Sequence, residues 1–240
     1  MKHDRIKYKM KLLNVDDNPK TIKGQKLFYM TGILYMAPAK LSGFEVCPMS
    51  TAGCRAACLN TAGRGRFDNI QKARIERTRH FFLYRRAFMD KLVREIDNLI
   101  INAVKKDMLP CVRLNGTSDI VWENVRDWND EGKSLMEMYP GLTFYDYTKR
   151  HNRKNLPSNY TLVYSLGEDN DTMAKVALDN GANVAVVFRT NKYPQTFMGV
   201  PVVNGDENDL RFLDPKNVVV GLYAKGPAKK DTSGFVREVN

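Results

Sequence analysis

The chain has 240 residues, 43% of them hydrophobic and 27% charged, with a formal net charge of +11. That is length enough for a full core in one large domain, and a composition that excludes disordered and fibrous classes. No run reaches the roughly 20 apolar residues of a membrane span, and residues 1–20 lack an apolar signal segment, so a cytoplasmic protein without a membrane partner is expected, its thiols reduced.

In chain order, residues 1–26 read as a peripheral extension, and residues 27–37, LFYMTGILYMA, as a first strand. A loop holding three of the four cysteines follows. From Asp68 to Lys106 the residues Ile70, Phe81, Tyr84, Phe88, Leu92, Ile96, Leu99 and Ala103 recur at spacings of three and four. They predict a helix broken at most once, with Met108-Leu109-Pro110 as its stop. PCVRLNG is a strand, and SDIVWENVRDWNDEG reads as a helix capped by Asp119 that packs Trp122 and Trp128. LTFYDYTKR and YTLVYSLGEDN are strands, and DTMAKVALDNG is a helix with Gly181 at its C-cap. NVAVVFRT, GVPVVNGDEND and NVVVGLYAKG complete the strands, and the polar tail 227–240 is expected to lie over the surface. Strands alternating with helices predict a parallel sheet. The expected fold is one α/β domain, a partial (βα)6 or complete TIM-like parallel barrel with the three-cysteine loop after the first strand.

That loop, CPMSTAGCRAACLNTAGRG, spaces Cys47, Cys54 and Cys58 as C-x6-C-x3-C. Structural zinc sites use closer pairs and four protein ligands, and here the fourth would be a remote Cys111, His3, His80 or His151. A compact loop of three thiolates fits an iron–sulfur cluster with one iron left open. Ala52, Gly53, Ala56 and Ala57 allow close approach of the backbone, and Arg55 can offset thiolate charge. The expected metal ligands are therefore Cys47, Cys54 and Cys58, on a [4Fe-4S] cluster with zinc as the alternative. Cys111 reads as core packing.

Both barrels and open α/β sheets put their sites at the carboxyl ends of the strands, where this chain places polar residues repeatedly. Asp146, Lys149 and Asp119 are candidate catalytic groups. Asn115, Thr117, Ser165, Glu168, Arg189 and Lys225 are candidate binding groups for a small molecule at the cluster. Lys149 and Lys225 together would suit a carboxylate or phosphate, and an Asp146–Lys149 salt bridge is the competing reading. Asp206 and Asp209 extend the carboxylate set. TAGRGRF offers a backbone nest for phosphate flanked by Arg64 and Arg66. Residues 64–106 hold twelve Lys/Arg against five Asp/Glu, a basic helix that predicts a nucleic-acid partner as the alternative function. No Walker loop or Ser–His pair is present.

A three-cysteine loop after the first strand, a long helix, and strands with polar carboxyl ends resemble the layout of the radical S-adenosylmethionine enzymes. The resemblance implies a [4Fe-4S] cluster with S-adenosylmethionine on its open iron. The spacing departs from that family's C-x3-C-x2-C, and RLNGTSD lacks the acidic pattern of its methionine-binding strand end. SGFEVCPMSTAGCRAACLNTAGRGR, VRLNGTSDI, FYDYTKR, NVAVVF, GDENDLRFLDP and GLYAKG, in that order, resemble an uncharacterised phage protein family named after a phage gene product 88. That resemblance implies a phage or plasmid origin and supplies no activity.

Overall fold

The computed structural model describes residues 10–15 and 19–239. After β1 (Leu13–Val15) and α1 (Pro19–Gln25), β2 (Tyr29–Leu34) leads into the cysteine loop with its short α2 (Ala52–Ala56). The basic stretch forms α3 (Asp68–Leu83) and α4 (Arg85–Val104), which break at Tyr84. Then come β3 (Leu109–Arg113), α5 (Leu135–Met138), β4 (Thr143–Thr148), β5 (Tyr160–Ser165), α6 (Asp171–Asp179) and β6 (Asn183–Phe188). A hairpin of β7 (Thr196–Phe197) and β8 (Val200–Asn204) precedes β9 (Val219–Tyr223) and β10 (Val236–Arg237).

The strands form one open, mixed sheet in the order β1-β2-β3-β4-β5-β6-β9-β8-β7, with β10 also on β6. From β2 through β6, chain neighbours are sheet neighbours and every pair is parallel. Among the described residues, antiparallel pairing is confined to the two margins, β1 on β2 and β7 on β8. The carboxyl ends of β2 to β6 and β9 thus share one side.

One face of the sheet is covered by α4, whose Phe88, Leu92, Ile96 and Leu99 are buried with Met30, Leu34, Val112 and Phe144. Gly32 lets α4 sit close there, since a Cβ would lie 2.9 Å from Leu99 Cδ2 and push that side chain aside. The opposite face is covered by the crossover after β8. Its Asp209 accepts from Arg113 Nη1 at 3.0 Å and from Tyr145 Oη at 3.1 Å, and Leu210 packs on Cys111 and Tyr145. Burial pushes the Asp209 carboxyl up, but Arg113 and Lys20 outweigh it and hold it below the ordinary value.

Four expectations need correction. The stretch 118–132 is not a helix; only Trp122–Asn124 makes a 3-10 turn. Its Asp119 does not cap, because its carboxylate accepts from Thr148 Oγ1 and the Lys149 amide, while Asn115 Oδ1 accepts the Ile120 amide and Trp122 Nε1. Trp122 and Trp128 are buried, as expected of packing residues. The β7–β8 hairpin was not anticipated. Nor is the N-terminal stretch peripheral where it is described: Leu12 and Leu13 are buried, their amides bound by the Glu95 carboxylate. The tail does not merely lie on the surface: β5 pairs with β6 only over Asn183–Ala185, and β10 pairs with Val187 and Phe188 beyond it.

Candidate functional site: the three-cysteine pocket

The cysteine loop is held to three strand ends. The Asp119 amide, after β3, donates to Val46 O at 2.8 Å, and the Val46 amide donates to Ala39 O after β2. The Cys47 amide donates to Glu45 Oε1 at 2.7 Å. Thr51 caps α2 by accepting the Cys54 amide. After β5, Glu168 accepts Thr51 Oγ1 at 2.5 Å and the Gly53 amide at 2.6 Å. A Cβ on Gly53 would stand 2.8 Å from that carboxylate and 2.1 Å from Ser233 Oγ, so a larger residue would displace these two side chains. Burial pushes Glu168 up, but the Thr51 and Gly53 hydrogen bonds outweigh it and hold the carboxyl below its ordinary value.

Cys47, Cys54 and Cys58 are free and half-buried in this loop. They are near enough for the charge on one to bear on the others: Cys47 senses Cys58 and Cys54, and Cys54 senses Cys58. Burial pushes all three thiols up, Cys47 to about 12. Against that common effect each sulfur has its own partner favouring the thiolate. The Ala39 amide acts in that sense on Cys47, the Lys149 ammonium on Cys54, and the Asn60 amide and the Arg74 guanidinium on Cys58. Arg74 is fixed in turn by Asn60, donating to its backbone oxygen at 2.8 Å and its side-chain oxygen at 2.6 Å. Arg55 does not serve the sulfurs; it donates to Ser50 and pairs with Glu45.

Among the described residues no group of three or more His, Cys, Asp and Glu is placed to hold a metal ion. Cys111 is buried against Thr31 in the cluster with Tyr145 and Leu210, as packing predicts, and is not part of the loop. His80 packs on Tyr84 and His151 is exposed, while His3 lies outside the described residues. The donor set is thus three thiols from one loop, each with a thiolate-favouring neighbour. Backbone amides and fixed charges around sulfur are the surroundings that stabilise and tune thiolate-bound iron. By donor chemistry alone the three free thiols suit such a group, although their described placement does not bring them together.

The remaining candidates divide. Lys149 joins the pocket: its Nζ donates to Ser165 O at 3.2 Å and Leu166 O at 3.1 Å, and lies 5.3 Å from the Phe235 ring centre. Asp119 joins it through Thr148 and the Lys149 amide, and the Thr117 carbonyl approaches Cys47 Sγ at 3.8 Å. Ser165 contributes its carbonyl to Lys149, and Glu168 serves as the clamp on α2 rather than as an open binding group. Asn115 is a structural hub, and its amide donates to Asp146 Oδ1 at 2.7 Å. Asp146 also accepts from Tyr160 Oη at 2.8 Å and makes no salt bridge with Lys149. Burial pushes Asp146 up to about 7 against the pull of Arg113 and these hydrogen bonds.

Lys225 and Arg189 are engaged elsewhere. Lys225 pairs with Asp206 at 2.7 Å, beside Lys20 and Tyr193, rather than meeting Lys149. Arg189 pairs with Glu238 and donates to the carbonyls of Ala228, Lys229 and Asp231, securing the tail. At the GRGR stretch, the amides of Gly65 and Phe67 donate to Ala62 O and Arg64 O, so a nest of free amides is not formed, although Arg64 and Arg66 are exposed. Much of the charge in α3 and at the start of α4 is also spent internally. Arg77 donates to the carbonyls of Lys11 and Tyr35, Arg79 to Ser42 O, and Arg85 lies over the Phe81 ring. The basic helix is therefore partly a brace.

Sequence reasoning missed Glu45, Asn60, Arg74 and Phe235. Asn60 and Arg74 stand two and sixteen residues beyond Cys58, and a polar residue so near a ligand cysteine was the one available signal. Phe235 gave none, since the tail reaches the pocket only through β10.

Among the described residues no helix is long and apolar enough to cross a membrane. No curated protein and no solved structure matches the chain, and the expected resemblance to radical S-adenosylmethionine enzymes finds no support among them. The family model described as Gene product 88 matches residues 10–239, nearly the whole length, including the cysteine loop and the strand ends that hold it. The chain belongs to the Gene product 88 family.

Proposed function

We propose that this protein, of phage or plasmid origin and working in the host cytoplasm, is an iron–sulfur protein. Cys47, Cys54 and Cys58 would hold a [4Fe-4S] cluster at the carboxyl ends of a partial (βα) barrel. The observation that carries the reading is the loop itself: three free, half-buried thiols tied by hydrogen bonds to the ends of β2, β3 and β5. A single zinc on the same thiols, with Zn–S bonds of about 2.3 Å, is the alternative occupant.

When bound, such a cluster supplies one-electron chemistry and, with only three protein thiolates, an iron open to a small molecule. The chain's own residues then have defined tasks. Glu168 and Thr51 fix α2, and with it the direction of Cys54. Asp119 orients the end of β4 and holds Lys149 toward the pocket. Phe235 of the tail lies over Lys149 on that side. S-adenosylmethionine is the first small molecule to test at the open iron, by the layout similarity.

Anaerobic purification with iron and sulfide tests the reading. The expected result is a brown protein absorbing near about 400 nm, as thiolate-ligated iron does, with its spectrum changed by the ligand of the open iron. A colourless protein carrying one zinc per chain would replace the cluster with a structural ion. A spectrum indifferent to S-adenosylmethionine, with no 5′-deoxyadenosine formed on reduction, would remove that cofactor while leaving the cluster.

A further inference from the structure

The basic stretch begins beside the tail. The cysteine loop ends in two 3-10 turns, Leu59–Thr61 and Gly63–Arg66, and the tail opens with another, Gly226–Lys230. These regions touch: a Cβ on Gly226 would lie 2.9 Å from Ala62 Cβ. Both backbones are fixed from behind. Gln71 Nε2 donates to Asn60 O at 2.9 Å and Gly65 O at 2.5 Å, and Arg189 Nη1 donates to Lys229 O at 2.9 Å. Arg64, Arg66, Lys229 and Lys230 are exposed, and among the described residues none of them pairs with a carboxylate. Other exposed cations are neutralised, Arg86 by Asp130, Lys133 by Glu131 and Lys175 by Asp179. Asp231, beside the tail turn, is taken up by Ser233 and the Val236 amide. Apolar surface is interleaved with the free charge. Leu59 and Phe67 are 53% and 51% exposed, Arg66 Cζ lies 5.6 Å from the Phe67 ring centre, and Lys229 Nζ lies 5.5 Å from that of Tyr223.

From this juxtaposition we infer that the joined turns form a binding surface for a single strand of nucleic acid. Four cations without carboxylate partners attract phosphates by releasing their counterions, and exposed rings set among cations receive unstacked bases. A duplex keeps its bases stacked and offers the Phe67 ring nothing. A membrane-binding face lays the apolar side of an amphipathic helix into the bilayer, whereas here each ring is set against a cation. The partner is thus placed at the start of the basic stretch rather than along α3 and α4, where Arg77, Arg79 and Arg85 are engaged by the protein itself. Cys58 stands immediately before the first turn, so a bound strand passes beside the cysteine loop. The surface exists whether or not that loop holds iron.

The test is fluorescence anisotropy of a labelled, mixed-sequence DNA strand of about 20 nucleotides with the full chain, from about 50 to about 200 mM salt. With four phosphate contacts at about −0.7 each, log affinity should fall against log salt with a slope of about −2.8, roughly a 50-fold loss over that range. Arg64→Gln with Arg66→Gln, and separately Lys229→Gln with Lys230→Gln, each remove two contacts and should flatten the slope to about −1.4. These side chains are exposed, so thermal unfolding of both variants should match the native protein, and either pair alone decides the question. Phe67→Ala should weaken binding on the order of tenfold with the slope unchanged. Arg94→Gln with Lys105→Gln removes the same charge from exposed positions of α4 and just beyond it, and should leave the slope at its native value. No binding at the lowest salt overturns the inference. So does a native slope in both turn variants, an equal flattening by the α4 variant, or a duplex bound as tightly as the strand. Capture by phosphatidylserine vesicles without binding of the strand overturns it in favour of a membrane surface.

Discussion

Replacing Asp146 by Asn should change how stability depends on pH. The Asp146 carboxyl is fully buried, bound by the Asn115 amide and Tyr160 Oη, and burial pushes it up to about 7. In the unfolded chain it returns to an ordinary carboxylate value near about 3.9. Because the folded value is the raised one, the native state is favoured fully below about pH 4. That advantage is lost as pH rises toward about 7, at up to about 1.4 kcal/mol per pH unit and about 4 kcal/mol in all. Asparagine has nearly the same shape, accepts from the Asn115 amide and donates to Tyr160, and cannot ionise. Urea unfolding of both proteins, reduced and free of metal, from pH 4 to pH 8 checks this. The two should be similar at pH 4, and the variant should gain on the native protein steadily until about pH 7 and hold its lead above. A difference that does not vary with pH, or a native protein more stable than the variant at pH 8, would refute the assignment of a strained buried carboxylate.

Three further outcomes follow from packing and anchoring. Gly53→Ala forces a methyl against the Glu168 carboxylate and Ser233; thermal unfolding should show a loss of about 1–3 kcal/mol, and iron uptake should fall. Leu92→Ala opens the centre of the α4 core and should cost about 2–5 kcal/mol in denaturant unfolding, with the cysteine pocket unchanged when iron binding is assayed. Arg189→Ala removes the donor to three tail carbonyls, so hydrogen exchange should quicken in residues 228–239 while β2 to β4 keep their protection.

Much of the fold was legible because it is local. The three-and-four spacing of Phe88, Leu92, Ile96 and Leu99 marks the buried face of α4, and the apolar runs of β6 and β9 mark strands covered on both sides. The side of the sheet that gathers the site was legible too, since a polar residue just beyond a strand must lie at its carboxyl end. Partners were not. Asp119 looked like a helix cap, and β4, distant in sequence, takes its carboxylate instead. Glu168, Arg189 and Lys225 sit where binding groups sit, yet a loop amide, the tail carbonyls and Asp206 already engage them. The arginines of α3 read as solvated charge because a sequence does not show the carbonyls they reach. β10 is two residues long and is defined only by its pairing with a splayed β6, a wholly non-local event.

Iron and acid-labile sulfide content of the anaerobically reconstituted protein, measured beside its four single Cys→Ser variants, tests the central claim most directly. The account predicts about four irons and four sulfides per native chain, as a [4Fe-4S] cluster requires, severe loss on replacing Cys47, Cys54 or Cys58, and full content on replacing the buried Cys111. A native chain without iron, or a cluster that survives loss of one loop cysteine and not of Cys111, would contradict it.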